Sequence, residues 1–129
     1  MSKKKKKVLM IEDEPLLIDM YSEAFEKEDF TLEIAEDGNE GIRKAANTPD
    51  LILLDILLPG LNGFEVLKRL KDNSRTKDIP VIVLTNLGSE QADKDKRLAL
   101  SLGAIDYLVK SYHTPEEMAK IIKDRLKNE

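Results

Sequence analysis

Five apolar runs of strand length, each separated from the next by a longer amphipathic stretch, constrain this chain more than any other feature. The runs fall at residues 8–11, 31–35, 51–55, 81–85 and 105–109. Parallel neighbours must be joined by a segment long enough to return to the starting edge, so this alternation specifies a parallel sheet with crossover helices. The first, third and fourth runs are nearly unbroken Val, Leu and Ile, as strands covered by helices on both faces require. Residues 31–35 (TLEIA) alternate polar and apolar instead, which places that strand at an edge.

The intervening stretches carry helix signals. Leu16, Leu17, Met20, Tyr21, Ala24 and Phe25 share one face at helical spacing, and Pro15 suits the first helical position, where its missing N–H would be unpaired anyway. Asn62 with Glu65 three residues on reads as a variant capping box. Thr114, Pro115 and Glu117 supply cap, first-turn proline and reciprocal acid for the last helix, whose buried stripe is Met118, Ile121, Ile122 and Leu126.

A length of 129 residues with 41% apolar content suits one compact domain, read as a basic lead-in at residues 1–7 and a folded domain at 8–129. The formal net charge of -4 gives no global reason to bind nucleic acid or anionic lipid. The lysine run at residues 3–7 abuts the first strand and is read as a solvated lead-in to it. Cysteine is absent, which removes disulfides, zinc–thiolate sites and thiol catalysis. Neither a signal peptide nor a membrane span is apparent, and a cytoplasmic location is expected.

Right-handed crossovers bring every strand-to-helix loop to the carboxyl edge of the sheet, where open α/β sheets bind their ligands. The first strand runs into Glu12, Asp13 and Glu14, and the third ends on Asp55. If the strand order is 2-1-3-4-5, strands one and three are neighbours and these acids converge. Two carboxylates about 4 Å apart cost roughly 4 kcal/mol at an effective dielectric of 20, so compensation is required. A hard divalent cation such as magnesium suits carboxylate and carbonyl oxygens. Lys110, after the fifth strand, can neutralise part of the cluster and bind a phosphoryl oxygen, and Thr85 ends the fourth strand with a hydroxyl.

Each group alone has a plainer explanation. Acids favour a helix N-terminus. Asp55 precedes the turn formers Pro59, Gly60, Asn62 and Gly63. A threonine or lysine at a strand end is ordinary. What carries weight is the coincidence of four strand ends that present compatible groups.

The segment LILLDILLPGLNGFEVL around Asp55, the pair Glu12–Asp13, Thr85 in VIVLTN and Lys110 in DYLVKS together resemble the response-regulator receiver domains of two-component systems, from Val8 onward. The resemblance implies a flavodoxin-like, doubly wound α/β fold with a five-stranded parallel sheet of order 2-1-3-4-5 and five helices. It implies a phosphoacceptor signalling domain that catalyses only its own magnesium-dependent phosphorylation and dephosphorylation. Asp55 would attack the phosphorus of a phosphohistidine on a sensor histidine kinase and become an acyl phosphate. Asp13, Asp55 and the Leu57 backbone carbonyl would ligate Mg2+, with Glu12 acting mostly through bound water. Thr85 and Lys110 would meet the new phosphoryl group, and Tyr107 would turn inward as Thr85 moves.

This sequence departs from the family pattern at three places. Ser111 follows Lys110 where proline, often cis, is common; Tyr112 and His113 replace the aromatic that often follows it; and Asn86 follows Thr85 where a smaller residue is frequent. A bulkier Asn86 is expected to slow access to the acyl phosphate. His113, the one histidine, has no paired acid or nucleophile and is read as a loop residue.

The family signals through its fourth helix, fifth strand and fifth helix, here about residues 90–127. Residues 90–97 are densely charged and poor in large apolar anchors, which favours a transient downstream protein partner. The chain is expected to be a monomer or weak dimer, with no direct nucleic-acid binding and no membrane contact. Two rival chemistries fit less well. A flavin binder needs Gly, Ser and Thr donors where this first loop has three acids, which repel phosphate. A small-molecule phosphatase needs a substrate pocket and a separate general acid, neither of which has a sequence signal.

Overall fold

The computed structural model describes residues 5–86 and 92–127. Five strands form where the apolar runs predict them: β1 (Lys7–Ile11), β2 (Thr31–Ala35), β3 (Leu51–Asp55), β4 (Val81–Thr85) and β5 (Asp106–Val109). All pair in parallel, in the order β2-β1-β3-β4-β5. The crossovers are α1 (Pro15–Lys27), α2 (Gly38–Ala45), α3 (Gly63–Lys71) and α4 (Ala92–Ser101), and α5 (Pro115–Lys127) follows a short 3-10 turn at Lys110–Tyr112. β1 starts one residue earlier than the apolar run because Lys7 already pairs with Thr31 and its N–H donates to Asp50 Oδ2 at 2.8 Å. β5 starts one residue later. Ile105 makes a single bond to the Val81 carbonyl, outside the ladder, and stays partly exposed.

Strand alternation divides the core in two. Leu9 and Ile11 join Ile52, Leu54, Val81 and Val83 on one face, covered by α2, α3 and α4 through Ala45, Val66, Leu67, Leu70 and Ala99. Val8 and Met10 join Leu51, Leu53, Ile82 and Leu84 on the other, covered by α1 and α5 through Tyr21, Ala24, Phe25, Met118, Ala119, Ile122 and Leu126. Every residue of β3 and β4 is buried, whereas β2, at the edge, alternates. Burying one Leu or Ile side chain contributes about 1.5–3 kcal/mol, so the central strands fix the register.

The apolar face of α1 is narrower than its sequence suggests. Leu16 and Met20 are 65% and 42% exposed, while Tyr21, Ala24 and Phe25 are buried and Leu17 is half-buried. Leu16 and Met20 lie one turn apart on the flank of the stripe. Ile121 of α5 is likewise only half-buried, with Ala119 taking the place expected for it in the core.

The predicted caps form. Asn62 Oδ1 accepts the Glu65 N–H at 3.0 Å. Thr114 Oγ1 accepts the Glu117 N–H at 3.1 Å while Glu117 Oε1 accepts the Thr114 N–H at 2.8 Å. Replacing Thr114 by Ala removes one half of this reciprocal pair, and the expected loss is about 1 kcal/mol, read as a lower urea midpoint with an unchanged slope. A variant as stable as the parent would mean that the box contributes nothing.

Candidate functional site

Sheet register sets the site as a stair at the carboxyl edge. Ile11 pairs with Leu54, so the next residues, Glu12 and Asp55, stand level on adjacent strands. Asp55 pairs with Leu84, which puts Thr85 one step further along β4, and Thr85 pairs with Val109, which puts Lys110 one step beyond that. Glu12 continues the ladder on its other side, its N–H donating to the Ala35 carbonyl at 2.9 Å. Glu12, Asp55, Thr85 and Lys110 are all buried, and Asp13 is exposed.

Every carboxylate oxygen of the two buried acids has a partner. Glu12 Oε2 accepts the N–H groups of Asp13 and Glu14 at 3.1 and 3.2 Å. Lys110 Nζ donates to Glu12 Oε1 and, at 3.2 Å, to Asp55 Oδ2. The remaining Asp55 oxygen, Oδ1, accepts the Leu57 N–H at 3.1 Å. Glu12, Asp13 and Asp55 each bring one oxygen within 4.8 Å of the others. Three carboxylates against one ammonium leave two negative charges, the complement of a divalent cation, and hard oxygens in this number suit magnesium. Lys110 lies between Glu12 and Asp55, and Asp13 is the exposed member of the cluster.

Burial pushes the Asp55 carboxyl up, Glu12 adds to the rise, and the Lys110 ammonium and the Leu57 N–H oppose it; the net value is about 6, against an ordinary 3.8. Asp55 is therefore largely ionised at neutral pH. Tyr107 faces inward from β5 and is 6% exposed. Burial raises its phenol pKa, and the Thr85 side chain beside it opposes that rise. Apart from that contact, the buried Tyr107 hydroxyl has no hydrogen-bond partner among the described residues.

The loop after Asp55 is held by close backbone approach. Gly63 N–H donates to the Ile56 carbonyl at 2.8 Å, and a Cβ at Gly63 would lie 2.5 Å from Ile56 Cα and 2.6 Å from the Asp55 carbonyl oxygen. Gly60 turns the chain with φ 74°, a conformation that glycine adopts without a steric cost. Leu57 is left 54% exposed at the mouth of the site.

The structure thus gathers Glu12, Asp13, Asp55 and Lys110 in one cluster and sets Thr85 and Tyr107 beside one another. Glu14 is exposed and contributes its N–H, and His113 takes no part in the acid cluster. The Lys110–Ser111 bond is trans, there being no cis peptide among the described residues. Residues 3 and 4 of the lysine run and residues 90 and 91 of the expected output face lie outside the described residues. Tyr21, read from sequence as part of an apolar stripe, is buried in the core on that face; burial pushes its phenol pKa up to about 12, and the charges of Glu12 and Asp55 add to the rise. No helix among the described residues is long and apolar enough to cross a membrane.

Known proteins agree with this geometry. The family model described as the response regulator receiver domain matches residues 8–123. The DNA-binding dual master transcriptional regulator RpaA of Synechocystis sp. is 40% identical over 116 residues, 89% of this chain and 47% of that protein. The phosphate regulon transcriptional regulatory protein PhoB of Rhizobium meliloti is 37% identical over 116 residues, 89% of this chain and 50% of that protein. The chain spans about half the length of these curated relatives. Among solved structures, the chemotaxis protein CheY4 of Vibrio cholerae superposes with a TM-score of 0.83 at 30% identity, covering 94% of this chain and 98% of that one. A CheY-like receiver domain protein from Methanospirillum hungatei superposes with a TM-score of 0.84 at 27% identity, covering 97% and 96%. With the sheet order, the acidic edge and this likeness in agreement, the chain belongs to the response-regulator receiver domains, signalling modules of two-component systems.

Proposed function

We propose that Asp55 is the phosphoacceptor, taking its phosphoryl group from a phosphohistidine of a sensor histidine kinase. An Asp55 carboxylate oxygen attacks phosphorus, the P–N bond to the imidazole breaks, and an acyl phosphate results, later hydrolysed by water. The observation that carries this reading is the convergence of Glu12, Asp13 and Asp55 on one spot with Lys110 between two of them. Phosphoryl transfer asks a protein mainly for positioning and charge neutralisation. Asp13, Asp55 and the Leu57 backbone carbonyl would hold Mg2+, with Glu12 reaching it through water. The bound ion supplies positive charge to phosphoryl oxygens.

Lys110 is the mobile charge in this reading. It holds Glu12 and Asp55 together in the structure and would turn to a phosphoryl oxygen once Asp55 is modified. Thr85 would take a second oxygen, and the pairing of Thr85 with Tyr107 would carry the change to β5. The output would pass to a protein partner through α4, β5 and α5, as a signalling event and not as turnover of a substrate. The described part of this face is charged at Asp93, Lys94, Lys96 and Arg97 and carries the partly exposed Leu98 and Leu100, with the exposed Tyr112 in the turn between β5 and α5.

Incubation with acetyl phosphate and magnesium is expected to add the mass of one phosphoryl group at Asp55, and beryllium fluoride with magnesium to shift the resonances of Thr85 and Tyr107. EDTA or Asp55→Asn should abolish both. A wild-type protein that gains no mass and shows no shift would rule the reading out.

A further inference from the structure

At the edge of the sheet, β2 pairs with β1. In a parallel pair, alternate residues of a strand turn both backbone groups to the neighbour, and the residues between turn theirs away. Thr31 N–H donates to the Lys6 carbonyl at 2.9 Å, and the Ala35 carbonyl accepts the Glu12 N–H at 2.9 Å. Thr31, Glu33 and Ala35 therefore face β1, while Leu32 and Ile34 present their N–H and C=O groups outward. Of these, the Ile34 carbonyl is covered: Lys44 Nζ, from α2, donates to it at 2.6 Å. The Leu32 N–H, the Leu32 carbonyl and the Ile34 N–H take no partner among the described residues.

This open stretch lies between two cavities that share Leu32 as a wall. One, of about 620 Å3, opens where α2 has ended and Asn47 and Pro49 lead back to β3, and it is lined also by Thr31 and Glu33. The other, of about 240 Å3, lies between Ser22 and Glu26 of α1 and the side chains of Phe30 and Leu32. Leu32 packs on the α1 face of the core, so a residue placed opposite it drops its side chain on that face, into the smaller cavity. Its neighbours point the other way, toward Thr31 and Glu33 and the larger cavity.

Charge selects the occupant. Glu23, Glu28 and Asp29 are matched by Lys27, Lys123 and Lys5, whereas the exposed Glu26 makes no ion pair among the described residues. A cavity walled by Phe30 and Leu32 with a free carboxylate among its groups suits a long cationic side chain, whose stem packs on the apolar walls while its head meets the acid. A second copy of this chain fits less well. Antiparallel pairing of two β2 edges about Glu33 would set the two Glu33 side chains directly opposite, a destabilising arrangement of like charges.

We propose that the outer edge of β2 at Leu32 takes an extended peptide of a partner protein as an added antiparallel strand, with an arginine or lysine opposite Leu32 pairing with Glu26. Main-chain bonds to Leu32 and to the Ile34 N–H hold the peptide, and the cavities on either side read its alternate side chains. Lys44, by occupying the Ile34 carbonyl, centres the recognition on Leu32.

The probe is the capped peptide STVRVTS, titrated into isotope-labelled protein at about 0.15 M salt, where distant charges are screened. The Leu32 and Ile34 amide resonances are expected to shift along one saturating curve, while those of Asp55 and Thr85 stay in place. N-methylation of the arginine amide removes the donor to the Leu32 carbonyl and should abolish the shifts. The counterpart STVEVTS should bind about three- to tenfold more weakly, since attraction to Glu26 becomes repulsion. Glu26→Gln changes one exposed side chain and should bring the two peptides within about twofold of each other. An arginine peptide that leaves Leu32 unmoved, binds as well when N-methylated, or keeps its full advantage in Glu26→Gln would overturn the proposal. So would a protein that sediments alone as a dimer and whose Leu32 amide moves with its own concentration, because a second copy would then hold the edge.

Discussion

Lys110→Met is expected to lose about 3–5 kcal/mol of stability at neutral pH, the cost of leaving a buried charge without its partner. Among the described residues, Lys110 Nζ is the one cation that bridges Glu12 and Asp55, and all three side chains are buried. Methionine fills similar space and leaves two carboxylates facing each other. Total stabilities of small domains are commonly about 5–15 kcal/mol, so the variant stands near its unfolding limit in EDTA. Two treatments should rescue it. Acid protonates one of the carboxylates, and a divalent cation replaces the missing charge. Urea midpoints of Lys110→Met should therefore rise with magnesium by more than those of the parent, and rise again as pH falls toward 5. The double variant Glu12→Gln with Lys110→Met should be less destabilised than the sum of its parts, because both changes act on one network. A Lys110→Met protein as stable as wild type in EDTA at neutral pH would mean that Lys110 does not hold the acids together.

How much of this was legible in the sequence varies with the physics. The β3 and β4 boundaries could be read because a strand covered on both faces must be apolar at every position, and that run stops where the chain emerges at the edge. Asp55 was not legible alone. An acid before a Pro-Gly turn is ordinary, and its meaning depends on Glu12, Asp13 and Lys110 arriving from other strands, which register rather than local sequence decides. The α1 stripe was over-read at Leu16 and Met20, since periodicity marks a face but not how wide a part of it is covered. The inward placement of Tyr107 follows from β5 alternation, in which Tyr107 and Val109 are buried and Asp106 and Leu108 are half-buried. Asp106 turns instead to Arg125 of α5, with Nη2 to Oδ2 at 2.5 Å.

Asp55→Asn is expected to make the metal-free protein more stable, although it removes the group on which the chemistry depends. The folded state raises the Asp55 pKa from 3.8 to about 6, chiefly by burial. Folded protein therefore binds this proton more tightly than unfolded chain. The stability from this group is fully present below 3.8, declines as pH rises from there to about 6, and is gone above it. At about 1.36 kcal/mol per unit, ionised Asp55 costs the fold about 3 kcal/mol at neutral pH. Asparagine keeps the shape and cannot ionise. In EDTA at neutral pH its urea midpoint should exceed that of wild type, and the fall in stability between about pH 4 and about pH 6 should flatten. Magnesium should close the gap from the wild-type side, since a cation held a hundredfold above its Kd adds about 2.7 kcal/mol. An Asn variant less stable than wild type in EDTA would show that Asp55 is not strained by ionisation. If the ordering holds, the cost has a chemical use: an anion kept at neutral pH in a buried site gains stability from whatever neutralises it, so the nucleophile, the cation and the incoming phosphoryl group are coupled through the stability of the fold.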